Sequence, residues 1–143
     1  MSKKFLIPIL VLFLSLTSCT ETIVERSSAD GSWKIIDIDI PYGSWTCYSD
    51  EYGKPYFEAD VPIPEITNFV YTDGIVLCYL VSGSTQVALP TIRHHENANG
   101  EKWTTTLDYE YNVGWLHVFY TNSDFYYSQD EPDYTKLRLV LHW

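Results

Sequence analysis

Residues 33–40 read WKIIDIDI, with isoleucine at positions 36, 38 and 40 and aspartate between them. Successive side chains of a β-strand point to opposite faces, so this alternation predicts a strand with one buried face and one face in water. Residues 135–142, TKLRLVLH, repeat the pattern with leucine at 137, 139 and 141. Both stretches therefore predict strands that cover a core on one side.

The chain between these two ends also lacks a helical period of useful length. Residues 74–81, GIVLCYLV, are apolar on both faces and predict a central strand, while Asn99-Gly100 predicts a tight turn. The spacing of about eight predicted strands indicates an all-β fold, an antiparallel β-sandwich, with a β-barrel as the alternative. The other predicted strands are 44–49, 56–63, 86–89, 103–111, 113–121 and 125–128.

The first eighteen residues have the parts of an export signal, with two lysines followed by the apolar run 5–14. This run is too short to span a bilayer, which takes roughly 20 residues. The next residues, LTSC at 16–19, resemble the bacterial lipobox, which implies that Cys19 becomes the lipid-modified start of the mature chain. A chance cysteine after an ordinary signal is the alternative. We therefore expect a lipoprotein signal peptide over 1–18, lipidated Cys19 with a flexible tether over 19–32, and a β-sandwich domain over 33–143.

The net charge of the expected mature chain excludes some classes of binding partner. Removal of Lys3 and Lys4 from the 9 basic residues leaves seven against 19 acidic ones, a net charge of −12. Such a surface repels phosphate backbones and offers no basic patch to anionic lipid, so nucleic acid is not an expected partner. The lipid on Cys19 is then the expected membrane anchor, in a cell-envelope protein of the outer membrane, facing either the periplasm or the cell surface.

Several stretches resemble a known group of proteins. They are SWT at 44–46, PEITNFVYTDGIVLCYL at 64–80, VALP at 87–90 and DYTKLRLVLHW at 133–143. Together with the lipobox they resemble small uncharacterised lipoproteins common in Bacteroidetes, over most of residues 44–143. The resemblance implies an envelope location and a fold. The group has no established activity, so the resemblance implies no mechanism.

Two cysteines remain beside Cys19. The cell envelope is oxidising enough for Cys47 and Cys78 to form a disulfide. However, Cys78 lies within the apolar run 74–81, where a free cysteine packs as a small core residue. We expect two free, buried thiols, with a disulfide as the alternative.

Two clusters have residue types that bind metals. His94 and His95 precede Glu96, but neighbouring side chains of an extended segment point to opposite sides, so the segment is expected to be an exposed hairpin loop. The acidic stretch DEPD at 130–133, near Asp124, lacks the glycine-punctuated spacing of calcium loops and predicts a solvated loop. We therefore predict no metal site and no cofactor.

Catalytic constellations are equally sparse. The carboxylates Glu58 and Asp60, like the two aspartates of 33–40, alternate with apolar residues and predict the outward face of a strand. The sequence has no G-x-S-x-G nucleophile motif and no G-x-x-x-x-G-K phosphate loop. We predict no catalytic residue. The alternative is a small metal-dependent or hydrolytic envelope enzyme that uses residues 94–96 and 130–133.

The most informative surface comes from the hairpin formed by 103–111 and 113–121. The first strand has a clean apolar face that includes Leu107 and Tyr109, whereas the second, VGWLHVFYT, is apolar on both sides. The length of the turn decides which side joins the core. A two-residue loop, Asn112-Val113, would place Leu116 opposite Tyr109 and Val118 opposite Leu107. A three-residue loop with Gly114 in the left-handed conformation would reverse the faces.

We favour the two-residue loop because it sets His117 against Asp108 instead of burying it. Trp115, His117 and Phe119 would then form an outward row beside Asp108 and Glu110. Aromatic rings rimmed by carboxylates suit sugar stacking with hydrogen bonds to hydroxyl groups, although another segment could instead cover the rings. The predicted function is a non-enzymatic binding or structural module with a glycan or an envelope protein as its partner.

Overall fold

The computed structural model describes residues 20–28, 31–123 and 132–143. Within these residues the chain forms ten β-strands and one short helix. In chain order they are β1 (Thr20–Ser28), β2 (Gly31–Ile40), β3 (Thr46–Ser49), β4 (Pro55–Pro62), α1 (Asn68–Asp73), β5 (Ile75–Ser82), β6 (Thr85–Ala88), β7 (Thr91–Glu96), β8 (Lys102–Asn112), β9 (Trp115–Asn122) and β10 (Thr135–His142).

The strands form two five-stranded antiparallel sheets. Sheet A has the order β1-β2-β10-β5-β6, and sheet B has the order β3-β4-β9-β8-β7. Each sheet has two open edges, so the sheets do not close into a barrel. The predicted all-β antiparallel sandwich is confirmed.

The core lies between the sheets and follows the alternation seen in the sequence. Every second residue of β2 and β10 points inward, and these isoleucines and leucines have no exposed surface. Among the described residues, no polar or charged residue falls in the buried class. Burial of an aliphatic side chain stabilises the fold by roughly 1.5–3 kcal/mol, so this layer dominates the stability. Its fully buried members include Ile36, Ile38, Ile40, Val61, Leu116, Val118, Leu137, Leu139 and Leu141.

Helix α1 closes one end of the sandwich between β4 and β5. Its N-cap is Thr67, whose Oγ1 accepts a hydrogen bond from the backbone N–H of Val70 at 3.2 Å. Val70 is buried in the core. A Cβ at Gly74 would lie 2.7 Å from the carbonyl oxygen of Val70 and 2.9 Å from that of His142, so only glycine fits where the helix meets the last strand. No helix among the described residues is long and apolar enough to cross a membrane.

The structure differs from the sequence prediction at the first strand. The segment assigned to a flexible tether contains β1, whose backbone pairs with β2 from Thr20 opposite Asp39 to Ser28 opposite Gly31. An edge strand pairs on one side alone, so it needs no apolar period of its own, and that period was the signal used to predict strands. The tether prediction is therefore corrected to an edge strand over Thr20–Ser28.

A second difference is β7, because Thr91–Glu96 is a strand that pairs with β8. The predicted loop over 94–96 is therefore wrong for the two histidines and for Glu96. The tight turn at Asn99-Gly100 is present, and Gly100 has a φ of +79°. The predicted strand over 125–128 lies outside the described residues.

Candidate functional site: the outer face of sheet B

The outward side chains of β4, β9 and β8 form the outer face of sheet B. These three strands are neighbours in the centre of the sheet, and the inward side chains of β4 and β9 are buried. The face contains an aromatic part and an acidic part. Its members include Tyr56, Glu58, Asp60, Asp108, Glu110, Trp115, His117 and Phe119.

The β8–β9 hairpin sets this face through its register. The turn is Val113-Gly114, with Asn112 opposite Trp115, and Gly114 adopts a φ of +85°. The predicted two-residue loop is therefore shifted by one position along the chain, from Asn112-Val113 to Val113-Gly114. A shift of one turn position moves each cross-strand partner by two residues, which preserves the face of every side chain.

The pairing in the core changes accordingly. Leu107 lies opposite Tyr120 and Tyr109 opposite Val118, so the predicted pairs were wrong in register. Leu116 and Val118 are nevertheless fully buried, as the predicted faces require.

Aromatic rings cross the outer face of sheet B as a row. Trp115 is 44% exposed. Phe119 packs against Tyr56 with ring centroids 6.2 Å apart, and Tyr56 packs against Tyr48 at 5.8 Å. The row therefore extends the predicted Trp115 and Phe119 onto β3 and β4, which the sequence did not indicate.

A shallow depression of about 440 Å³ lies beside this row. Phe119 and Tyr56 line its apolar side, and the carboxylates of Asp108 and Glu110 and the ammonium group of Lys54 bring charge to it. Hydroxyl groups of Thr106 and Thr121 complete its lining. Rings and hydrogen-bonding groups thus meet in one open recess.

His117 lies at the centre of the acidic part. It sits opposite Asp60 on one side and opposite Glu110 on the other. Its Nδ1 is 2.5 Å from Oδ1 of Asp60 and 3.7 Å from Oε1 of Glu58. The prediction that His117 would lie against Asp108 is wrong, because the two-residue change of register places Phe119 opposite Asp108.

Glu58 shows the electrostatic strain of this arrangement. Burial raises the pKa of its carboxyl group, and the neighbouring charge of Asp60 raises that pKa further. His117 acts in the opposite direction, and Glu110 adds to the rise in pKa. Burial and the neighbouring carboxylates together make Glu58 hold its proton more tightly than an isolated glutamate does.

The outer face of sheet A handles charge differently. Arg138 donates two hydrogen bonds to Asp37, from Nε at 2.7 Å and from an Nη at 3.0 Å. This guanidinium holds the pKa of Asp37 below its ordinary value. The hydroxyl of Tyr134 donates to Asp39. The two aspartates do face outward as predicted.

The two histidines of β7 are not part of the acidic groups described above for sheets A and B. His95 stacks on Trp103 with ring centroids 5.1 Å apart and planes 14° apart, whereas His94 is exposed. Neighbouring residues of β7 thus point to opposite faces, as expected for an extended segment. Asp124, Asp130, Glu131 and Cys19 lie outside the described residues, so the predictions for the 130–133 loop and for lipidation stay predictions.

The remaining cysteines are free. Cys78 is buried on β5, and burial raises the pKa of its thiol to about 12. Cys47 is exposed on the edge strand β3. The expectation of free thiols is confirmed, and the expectation that Cys47 is buried is wrong. A thiol with so high a pKa is a poor nucleophile, which leaves Cys78 a packing role.

The combination of Glu58, Asp60 and His117 was missed by sequence reasoning. One ligand atom from each side chain lies within 4.8 Å of the others. The alternation in FEADV at 57–61 correctly predicted two outward carboxylates, but no local sequence pattern indicates that β4 pairs with β9.

This chain matches no family model, no curated protein and no solved structure.

Proposed function

We propose that the protein is a lipid-anchored component of the bacterial cell envelope that binds carbohydrate through the outer face of sheet B. The lipobox-like LTSC at 16–19 supports the anchor, with lipid on Cys19 and an outer-membrane location. The role of the sandwich is non-enzymatic: it holds a ligand near the membrane.

One observation carries the proposed binding role. Phe119 and Tyr56 present packed rings beside the carboxylates of Asp108 and Glu110, and the exposed Trp115 lies on the same face of β9. Rings can stack on the apolar face of a sugar, while carboxylates accept hydrogen bonds from its hydroxyl groups. A protein in water keeps large exposed rings in a group mainly where they contact a partner.

The alternative of a hydrolytic enzyme built from residues 94–96 and 130–133 lacks comparable support. Among the described residues, His95 is engaged by Trp103 and His94 points away from it. We therefore retain the binding module as the proposed function.

Binding is tested with the full-length protein on a glycan array, in the presence of a metal chelator. The double variant Trp115→Ala with Phe119→Ser should lose binding and remain folded by circular dichroism. The matched control is Ile75→Ala with Leu77→Ala, which removes comparably exposed apolar side chains from the outer face of sheet A. Equal loss in both variants, unfolding of the first one, or no glycan bound by the parent protein would refute the proposal.

Anchoring is tested by fractionation of cells. Cys19→Ala should move the protein from the membrane fraction to the soluble fraction, because the thiol that receives the lipid is gone. Cys47→Ser is the control, since Cys47 is an exposed cysteine of the folded domain and should not affect sedimentation. Continued sedimentation of Cys19→Ala with membranes would contradict the lipid anchor.

A further inference from the structure

We propose that Glu58, Asp60 and His117 form a binding site for a divalent zinc ion on the outer face of sheet B. This inference goes beyond the proposed carbohydrate binding, and neither depends on the other. Two carboxylates and one imidazole are a ligand set that zinc uses in proteins, with water in the remaining position.

The spacing of the three side chains favours one shared ion. Glu58 and Asp60 are two residues apart on β4 and point to the same side, and His117 lies directly opposite Asp60 on β9. Ligand atoms of a tetrahedral zinc site with bonds near 2.1 Å lie about 3.4 Å from one another. The separation of 3.7 Å between Nδ1 of His117 and Oε1 of Glu58 is close to this value.

Asp60 needs the largest adjustment. Its Oδ1 lies 2.5 Å from Nδ1 of His117. A zinc ion would replace this hydrogen bond with one metal bond to each atom, near 2.1 Å, and would move the two atoms about 3.4 Å apart. The Asp60 side chain is 50% exposed, so it can change rotamer without disturbing the core. The same exposure gives the ion a path from solvent and leaves room for a bound water molecule.

Asn112 is placed to orient the imidazole. Its amide nitrogen lies 3.1 Å from Nε2 of His117, the ring nitrogen that does not face the carboxylates. If zinc binds Nδ1, the proton of the neutral imidazole is on Nε2, which must then donate a hydrogen bond. A rotation of the Asn112 amide by half a turn would present its oxygen as the acceptor. Such an outer partner fixes the tautomer and orientation of a histidine ligand.

The chemistry of the set selects the cation. Calcium and magnesium prefer all-oxygen ligands, whereas an imidazole favours zinc and other first-row divalent ions. Asp108 and Glu110 lie on the same face but on β8, and their carboxylates are not part of the close group of three. Substitution of these two residues therefore distinguishes a specific zinc site from a general attraction of cations to an acidic surface.

The test is a titration of the full-length, chelator-treated protein with zinc, in competition with a chromogenic chelator, alongside the thermal unfolding midpoint. We expect one zinc ion per chain and a midpoint that rises with zinc, because an ion that binds the folded state stabilises it. His117→Ala and Asp60→Asn should each weaken binding at least 100-fold. Asn112→Ala should weaken it about tenfold, the effect typical of an outer partner.

Two controls match the charge and residue types. Asp108→Asn with Glu110→Gln removes two carboxylates from the same face, and His94→Ala removes an exposed histidine from β7. Both should bind zinc within threefold of the parent protein. All variants keep Cys19, Cys47 and Cys78, so zinc held by thiolates would persist in every one of them.

Three results would overturn the proposal. The first is unchanged zinc binding in folded His117→Ala and Asp60→Asn, which would leave the cluster a histidine hydrogen-bonded to a carboxylate. The second is an equal loss in the Asp108 and Glu110 double variant, which would indicate diffuse attraction. The third is tighter binding of calcium than of zinc. Zinc binding that survives Trp115→Ala with Phe119→Ser, while glycan binding fails, would separate this site from the proposed function.

Discussion

Asp37 and Glu58 both lie on outward faces of the sandwich, one on each sheet, and their pKa values are displaced in opposite directions. The guanidinium of Arg138 lowers the pKa of Asp37, while burial and the charge of Asp60 raise the pKa of Glu58. In sheet A the charged groups are arranged as a partner pair. In sheet B they are gathered with like charges around a single histidine.

This difference distinguishes a carboxylate that stabilises the folded state from one that destabilises it when ionised. A carboxylate whose pKa is lowered in the folded state contributes stability, and one whose pKa is raised costs stability when ionised. Crowded carboxylates with perturbed pKa values are more common at functional sites than elsewhere on a protein surface. The contrast therefore supports the sites proposed on sheet B, and it indicates that the Asp37–Arg138 pair stabilises the fold.

The largest expected effect is a loss of stability that distinguishes the outward side chains of β9 from its buried ones. Leu116 is fully buried and its neighbour Trp115 is 44% exposed on the opposite face of β9. Leu116→Ala should lower the free energy of unfolding by about 2–5 kcal/mol, because it leaves a cavity. Trp115→Ala should lower it by less than about 1 kcal/mol. Denaturant unfolding measures both, and a cost for Trp115→Ala equal to that of Leu116→Ala would show that the ring is part of the core.

The next effect concerns the structural pair of sheet A. Arg138→Ala removes both hydrogen bonds to Asp37, whose side chain is only 21% exposed, so we expect a loss of about 1–2 kcal/mol at neutral pH. The control is Lys102→Ala, because its ion pair with Glu96 joins side chains that are 74% and 58% exposed. That change should cost less than about 0.5 kcal/mol.

The sign of the pH dependence follows from the lowered pKa of Asp37. Its pairing with Arg138 stabilises the fold above the ordinary value of 3.8 and is lost as the pH falls through the lower pKa of the folded state. The cost of Arg138→Ala should therefore be full at pH 7 and shrink as the solution becomes more acidic than pH 3.8. A cost that is unchanged in acid would mean that Arg138 stabilises the fold through packing alone.

Alternation predicted the core well because it depends on residues close in sequence. Ile36, Ile38 and Leu139 are fully buried as the period-two pattern requires. The outward placement of Trp115 and Phe119 survived an error in the turn, because the observed register differs from the expected one by two residues and not by one.

Edge strands and pairings between distant segments could not be predicted from local sequence patterns. The segment TIRHHE at 91–96 has few apolar residues because β7 is an edge strand, so it gave no strand signal. Asp60 and His117 are 57 residues apart, and only the order of strands in sheet B brings them together. Local patterns specify which face a side chain occupies, whereas the partner across the sheet is decided by topology.

The smallest expected effect is the one that distinguishes the two sheets most directly. Glu58→Gln removes a carboxylate that is unfavourable when ionised, so it should raise the free energy of unfolding by about 0.5 kcal/mol at pH 7 with chelator present. The folded state holds the Glu58 proton more tightly than the unfolded state, for which the pKa is 4.5. The favourable contribution of Glu58 is thus present below pH 4.5 and is lost as the pH rises through the folded pKa, so the gain from Gln should vanish in acid. Glu51→Gln, which removes a carboxylate from an exposed turn, is the control and should leave the unfolding midpoint at pH 7 unchanged. A Glu58→Gln protein less stable than its parent at pH 7 would mean that Glu58, like Asp37, is held by a favourable partner, and the contrast between the two sheets would fail.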